Sequence, residues 1–180
     1  MIRNLRGFTL VEAVICLAVA SILLCVALPA MSDALASSRA SAARAKLLST
    51  LTTAIGHAAA TGTEVVLCPS AGTVCEDTFD WSAGWIAYAD LDGNRRRAPA
   101  ETLVHASGAL HDTVRLRSTT GRRRLVVQPN GGNAGSNVTF TLCDSRGEEA
   151  AVTLVLANTG RLRAGTPKRK AARGCVDALR

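Results

Sequence analysis

The chain opens with a long apolar run, and its hydrophobic period then changes. From Phe8 to Ala30 there are 23 residues with a single charge, Glu12. At about 1.5 Å rise per residue, such a run crosses a bilayer core as a helix. After Pro29 the composition turns to Ala and Ser, but Leu47, Leu48, Leu51 and Ile55 recur three and four apart and form one apolar face. Arg39, Arg44, Lys46 and Thr53 supply polar positions. The spacing predicts one helix from Phe8 to about Ala60, ended by Thr61-Gly62-Thr63.

Beyond Gly62 the period shifts to two. Strands are expected at Glu64–Cys68, Gly84–Ala89, Thr102–Ala106, Thr113–Arg117, Arg124–Gln128, Asn137–Cys143 and Ala151–Ala157, separated by Gly, Pro, Asn and Asp clusters. One long helix and then a run of strands gives an α+β class, the helix packed on an antiparallel β-sheet domain.

Composition narrows the function classes. At 180 residues and 48% hydrophobic, the chain is long and apolar enough for one folded domain. Aromatics are 3%, which argues against a base-stacking platform. Six cysteines and three histidines are too scattered for a disulfide miniprotein or an obvious zinc module. His57, His105 and His111 have no nucleophile or carboxylate at catalytic spacing, so no enzyme, no cofactor and no metal is expected.

Arg3 and Arg6 precede the apolar run and nothing acidic does, which places Met1–Gly7 in the cytoplasm and the rest outside. A carboxylate near the start of a membrane helix costs about 2.5–3.5 kcal/mol on insertion scales. A secretory signal cut after Ala34-Leu35-Ala36, or a plain anchor, leaves Glu12 without a role. Gly7-Phe8-Thr9-Leu10-Val11-Glu12 behind a short basic leader resembles a type IV prepilin leader. The resemblance implies cleavage between Gly7 and Phe8 by prepilin peptidase, methylation of the new N-terminus, and a helix-bending Pro29. It also implies that Glu12 is an assembly residue, pairing with a neighbour's terminal amine in a filament and so offsetting the desolvation of both charges. Cys16 and Cys25 sit nine apart in the same helix, cannot bridge within it, and read as packing residues.

The β part resembles the FimT/GspH family of minor pilins and pseudopilins. The matching residues are Cys68-Pro69, Trp81, Gly84-Trp85, Asp90, Asp92-Gly93, Phe140-Thr141-Leu142-Cys143 and Thr159-Gly160-Arg161. The implied organisation is a cleaved leader over 1–7, a membrane or filament-core half-helix over 8–30, an amphipathic half over 31–61, and a β domain over 62–180 with a basic C-terminal loop. The implied location is the inner membrane, with the β domain periplasmic, and then the pilus at the cell surface.

An exported domain sits in an oxidising compartment, where Cys68, Cys75, Cys143 and Cys175 can pair. Three connectivities exist, and Cys68–Cys75 with Cys143–Cys175 is the economical one. Zinc is the rival reading, but the spacing fits no common finger.

Charge is polarised along the chain. Residues 115–180 carry 13 Lys+Arg against four Asp+Glu, whereas residues 8–114 carry six against ten. Gly160-Arg161-Leu162-Arg163 is followed by Lys168, Arg169, Lys170 and Arg173. Gly160, Gly165 and Pro167 predict an irregular loop, held at both ends if Cys143 pairs with Cys175. Guanidinium forks suit phosphate oxygens. FimT proteins of natural transformation bind DNA through a C-terminal Gly-Arg-x-Arg motif, and Gly160–Arg163 matches it. The alternative is a solvated basic surface, or one facing acidic filament neighbours.

Arg95-Arg96-Arg97 and Arg122-Arg123-Arg124 read as solvated turns or strand ends, with a wider basic face as the alternative. Asp90-Leu91-Asp92-Gly93-Asn94 is similar to the opening of a calcium loop, but Glu101 is read as out of place for the bidentate ligand, so a β-turn is expected. Two functions follow from different classes. One is a DNA-binding minor pilin for uptake. The other is a structural minor pilin that primes assembly, or a GspH-like pseudopilin of type II secretion.

Overall fold

The computed structural model describes residues 9–179. Gly7 and Phe8, the expected processing site, lie outside the described residues. Helix α1 runs Leu10–Thr61. Its first turn is capped by Thr9, whose hydroxyl oxygen accepts the Glu12 N–H at 3.3 Å. The chain forms two compact units, divided after Leu35. In the first, the α1 side chains from Leu10 to Leu35 are all exposed, and length and composition suit a membrane span.

The second unit begins at Ala36. Here α1 buries Ala36, Ala40, Ala43, Leu47, Thr50, Leu51, Ala54 and Ala58. The steps of three and four make one stripe, and its alanines let the helix approach the sheets closely. Of the expected apolar face, Leu47 and Leu51 are buried, while Leu48 and Ile55 flank the stripe half-buried. Gly62, at φ 71°, closes the helix by donating its N–H to Ala58 O at 2.9 Å.

Eight strands follow: β1 Glu64–Pro69, β2 Trp85–Asp90, β3 Leu103–Ser107, β4 Val114–Ser118, β5 Leu125–Val127, β6 Val138–Asp144, β7 Val152–Leu156 and β8 Leu162–Gly165. They form two four-stranded antiparallel sheets, β3-β2-β1-β5 and β4-β6-β7-β8. Alternation turns Trp85, Leu116, Phe140, Leu154 and Leu156 towards the stripe of α1. Trp81 stands edge-on to Phe140, ring centroids 5.1 Å apart. The other face of the first sheet holds a smaller cluster of Val66, Cys68, Ile86, Tyr88 and Val126, with Cys75 and Ala134 packed against it.

Two expectations are corrected. Residues 160–175 are not an irregular loop. Leu162–Gly165 pair with β7 in the register Leu156↔Leu162 and Val155↔Arg163. Arg169–Asp177 form helix α2, which buries Ala172 and Cys175. Gly165 and Pro167 punctuate the join between these elements instead of dissolving them. The second correction concerns Glu101. It lies eleven residues after Asp90, hence twelfth when Asp90 is counted first, and the chain folds it back beside Asp90 and Asp92.

Candidate nucleic-acid interface

The β7–β8 hairpin presents the first two cations. Its turn is closed by Gly160 N–H to Ala157 O at 3.0 Å and Ala157 N–H to Arg161 O at 2.9 Å. Gly160 has φ 79°, and a Cβ there would collide with the carbonyl oxygen of Gly131. Only glycine fits both conditions. Leu162 turns inwards to the core, so Arg161 and Arg163 on either side of it share the outer face, where both are exposed.

Helix α2 supplies the others. It packs on the outer face of the second sheet, and the Cys143–Cys175 disulfide, with Cα atoms 6.1 Å apart, ties it to β6. Arg115 and Arg117, alternating on β4, reach under its C-terminal turn. Arg115 Nε donates to Ala178 O at 3.1 Å, and Arg117 Nη1 donates to Gly174 O. Cations at helix C-terminal carbonyls complement the helix dipole. These two anchors were not singled out from the sequence, although the Arg115-Leu116-Arg117 alternation was the available signal. Lys168, Arg169 and Lys170 are exposed. Arg173 is also exposed but pairs with Glu148 Oε1 at 3.2 Å.

The two arginine triplets meet at the first sheet, where they brace loops. Arg124 Nη1 donates to Arg95 O at 3.2 Å, and Arg97 Nη1 to Thr73 O at 3.1 Å. Arg123 pairs with Asp77 at 2.5 Å. Arg122 Nη2 donates to Asn133 Oδ1 and Ala134 O, and burial with Arg95 nearby pushes its pKa down. Local carboxylates and carbonyls therefore occupy much of this charge. The second disulfide, Cys68–Cys75, staples the loop after β1. Cys16 and Cys25 are free and exposed, and Glu12 is exposed on the first turn of α1.

Comparison with known proteins bears on most of the chain, and the family models reach no further than residue 160. The family model of type II transport protein GspH matches residues 43–160. The chain belongs to the GspH family. The prokaryotic N-terminal methylation motif matches residues 2–28, ahead of the GspH match. The GspH fold extends to solved structures: two crystal forms of type IV minor pilin FimU from Pseudomonas aeruginosa share it. One is 17% identical with a TM-score of 0.52, covering 72% of this chain and 91% of FimU. The other is 16% identical with a TM-score of 0.54, covering 77% and 92%. No curated protein matches the chain in sequence. A GspH member of this kind is a structural, non-enzymatic pilin or pseudopilin with an apolar N-terminal helix suited to the inner membrane.

Proposed function

We propose that this chain is a minor pilin that joins a type IV pilus and binds extracellular DNA through its C-terminal cations, for uptake in natural transformation. The observation that carries the reading is the shared exposure of Arg161 and Arg163 on the paired β7–β8 hairpin, with Lys168, Arg169 and Lys170 exposed just beyond. Cations carried on a hydrogen-bonded hairpin leave less backbone to order on meeting phosphates than those of a loose tail. Phe140, the only aromatic after residue 114, is fully buried, so stacking on bases contributes little and binding is phosphate-led and sequence-tolerant. In the same reading, prepilin peptidase cuts Gly7|Phe8 and Glu12 pairs with a neighbouring pilin's amine. The β domain is periplasmic before assembly and surface-exposed after it.

The test is duplex DNA titration of the full-length protein in detergent at several salt concentrations, beside an Arg161→Gln/Arg163→Gln variant. About four phosphate contacts give a log–log slope near −3.6 and a loss of roughly a hundredfold between 50 and 200 mM salt. The variant should bind at least about tenfold more weakly. Equal binding by the variant, or none by the parent at low salt, would favour a structural minor pilin or a type II secretion pseudopilin. The GspH match and the engagement of Arg173 by Glu148 support that second reading.

A further inference from the structure

The loop between β2 and β3 gathers three carboxylates. Asp90 ends β2, Asp92 stands on the turn, and Glu101 closes the excursion, with one oxygen from each within 4.8 Å of the others. With Asp90 counted first, Asp92 and Asn94 fall at positions three and five and Glu101 at twelve, the spacing at which calcium loops deliver their oxygens. Such loops place glycine at position six for a sharp turn. Arg95 occupies that place with φ 59°, the one non-glycine residue of positive φ among those described. Its N–H donates to Asp90 Oδ2 at 3.0 Å. Glu101 is 5% exposed, and its two oxygens accept from Leu91 N–H at 3.0 Å and Ala98 N–H at 2.8 Å, which fix the carboxylate within the loop.

A separate observation points to something missing. Asp90 is 4% exposed, and its Oδ1 is buried with no hydrogen-bond partner. The hydroxyl of Tyr88, two residues earlier on the same strand face, is also buried and unpartnered. Bare buried oxygens are uncommon and costly. No described lysine, arginine or histidine forms an ion pair with Asp90, Asp92 or Glu101. Arg95, Arg96 and Arg97 lie in the same loop, yet none pairs with these carboxylates, and Asp90 Oδ1 is left open to a cation that several oxygens can coordinate at once.

We infer that Asp90, Asp92 and Glu101 form a calcium site. Calcium takes carboxylate and carbonyl oxygens at about 2.3–2.6 Å in flexible geometry, and it would give Asp90 Oδ1 its partner. Magnesium demands near-ideal octahedral geometry and gives up water reluctantly, so it is the poorer occupant. Asp92 is exposed and supplies the solvent-facing ligand. Binding would fasten the β2–β3 loop across its own opening.

The test uses full-length protein in detergent, stripped with EDTA and then titrated with calcium chloride or magnesium chloride while thermal unfolding is followed. Half-saturation by calcium is expected at about 0.1–1 mM, the range of extracellular modules, with a Tm rise of a few degrees at saturation. Asp92→Asn should shift half-saturation upwards at least about tenfold, read as the calcium-induced change from the variant's own calcium-free Tm. Glu101→Gln should abolish the response. A parent protein indifferent to calcium, an equal response to magnesium, or an Asp92→Asn variant that saturates like the parent would each overturn the site.

Discussion

The indole N–H of Trp85 donates to the hydroxyl of Thr50 at 2.9 Å, and both residues are fully buried. Thr50 in turn donates to Lys46 O at 2.9 Å, so one hydroxyl serves the sheet and its own helix. The bond spans 35 residues of sequence and sets the rotation of α1 on the first sheet. Thr50→Val keeps the shape but leaves the indole N–H bare in a dry core, which should cost about 1–3 kcal/mol. Thr50→Ser should recover most of it. Urea unfolding of the three proteins measures the difference.

The Cys143–Cys175 bond closes 32 residues of chain around β7 and β8. Replacing both cysteines with alanine should lower stability by about 2–4 kcal/mol. Its distinguishing sign is local. Amides of α2 should lose hydrogen-exchange protection before those of β6 and β7, because only Ala172 and Cys175 bury the helix fully. DNA affinity, if carried by these cations, should fall a few-fold as they lose their fixed positions.

Gly160 and Gly131 both have positive φ, but they tolerate a side chain differently. At Gly131 an added Cβ meets only Ile55 Cγ2 at 4.0 Å, whereas at Gly160 it strikes backbone. Gly160→Ala should therefore cost about 1–3 kcal/mol and disturb the presentation of Arg161, while Gly131→Ala costs less. Thermal unfolding ranks the two.

Tyr88 carries a pH dependence. Burial, and then the charges of Asp90 and Glu101, push its pKa from 10.0 up to about 12. The unfolded chain ionises first, so the stabilisation is complete below pH 10 and is lost as pH rises through about 12. A loss of about 2–3 kcal/mol across that window is expected, and Tyr88→Phe should remove it. Denaturation midpoints at pH 9 and 11.5, parent against variant, decide.

Much of the architecture was legible because burial imposes periods. Leu47 and Leu51 declare the helix face, and the alternation Val114-Arg115-Leu116-Arg117 declares a strand half in the core. The strands β1 to β7 lie within a residue or two of their expected spans. What was hidden depends on tertiary partners. The strand β8 has four residues and one inward side chain, too little for a period to register. Helix α2 is strongly basic and contains Gly174, yet Ala172, Cys175, Val176 and Leu179 follow helical spacing and pack as one satellite cluster. Glu101 stands twelfth when Asp90 is counted first, so its spacing is legible in the sequence, while its return beside Asp90 depends on how the intervening loop folds.

The strand β8 has consequences beyond the anion its arginines meet. It ends the second sheet, bonded to β7 on one side only among the described residues. An open edge is a template on which another copy's strand can add. Its shortness, with Arg163 within it and Arg161 just before it, makes that addition electrostatically self-limiting. These two side chains are thus sentries for solubility, and a protein stripped of them trades charge repulsion for a tendency to zip edge to edge.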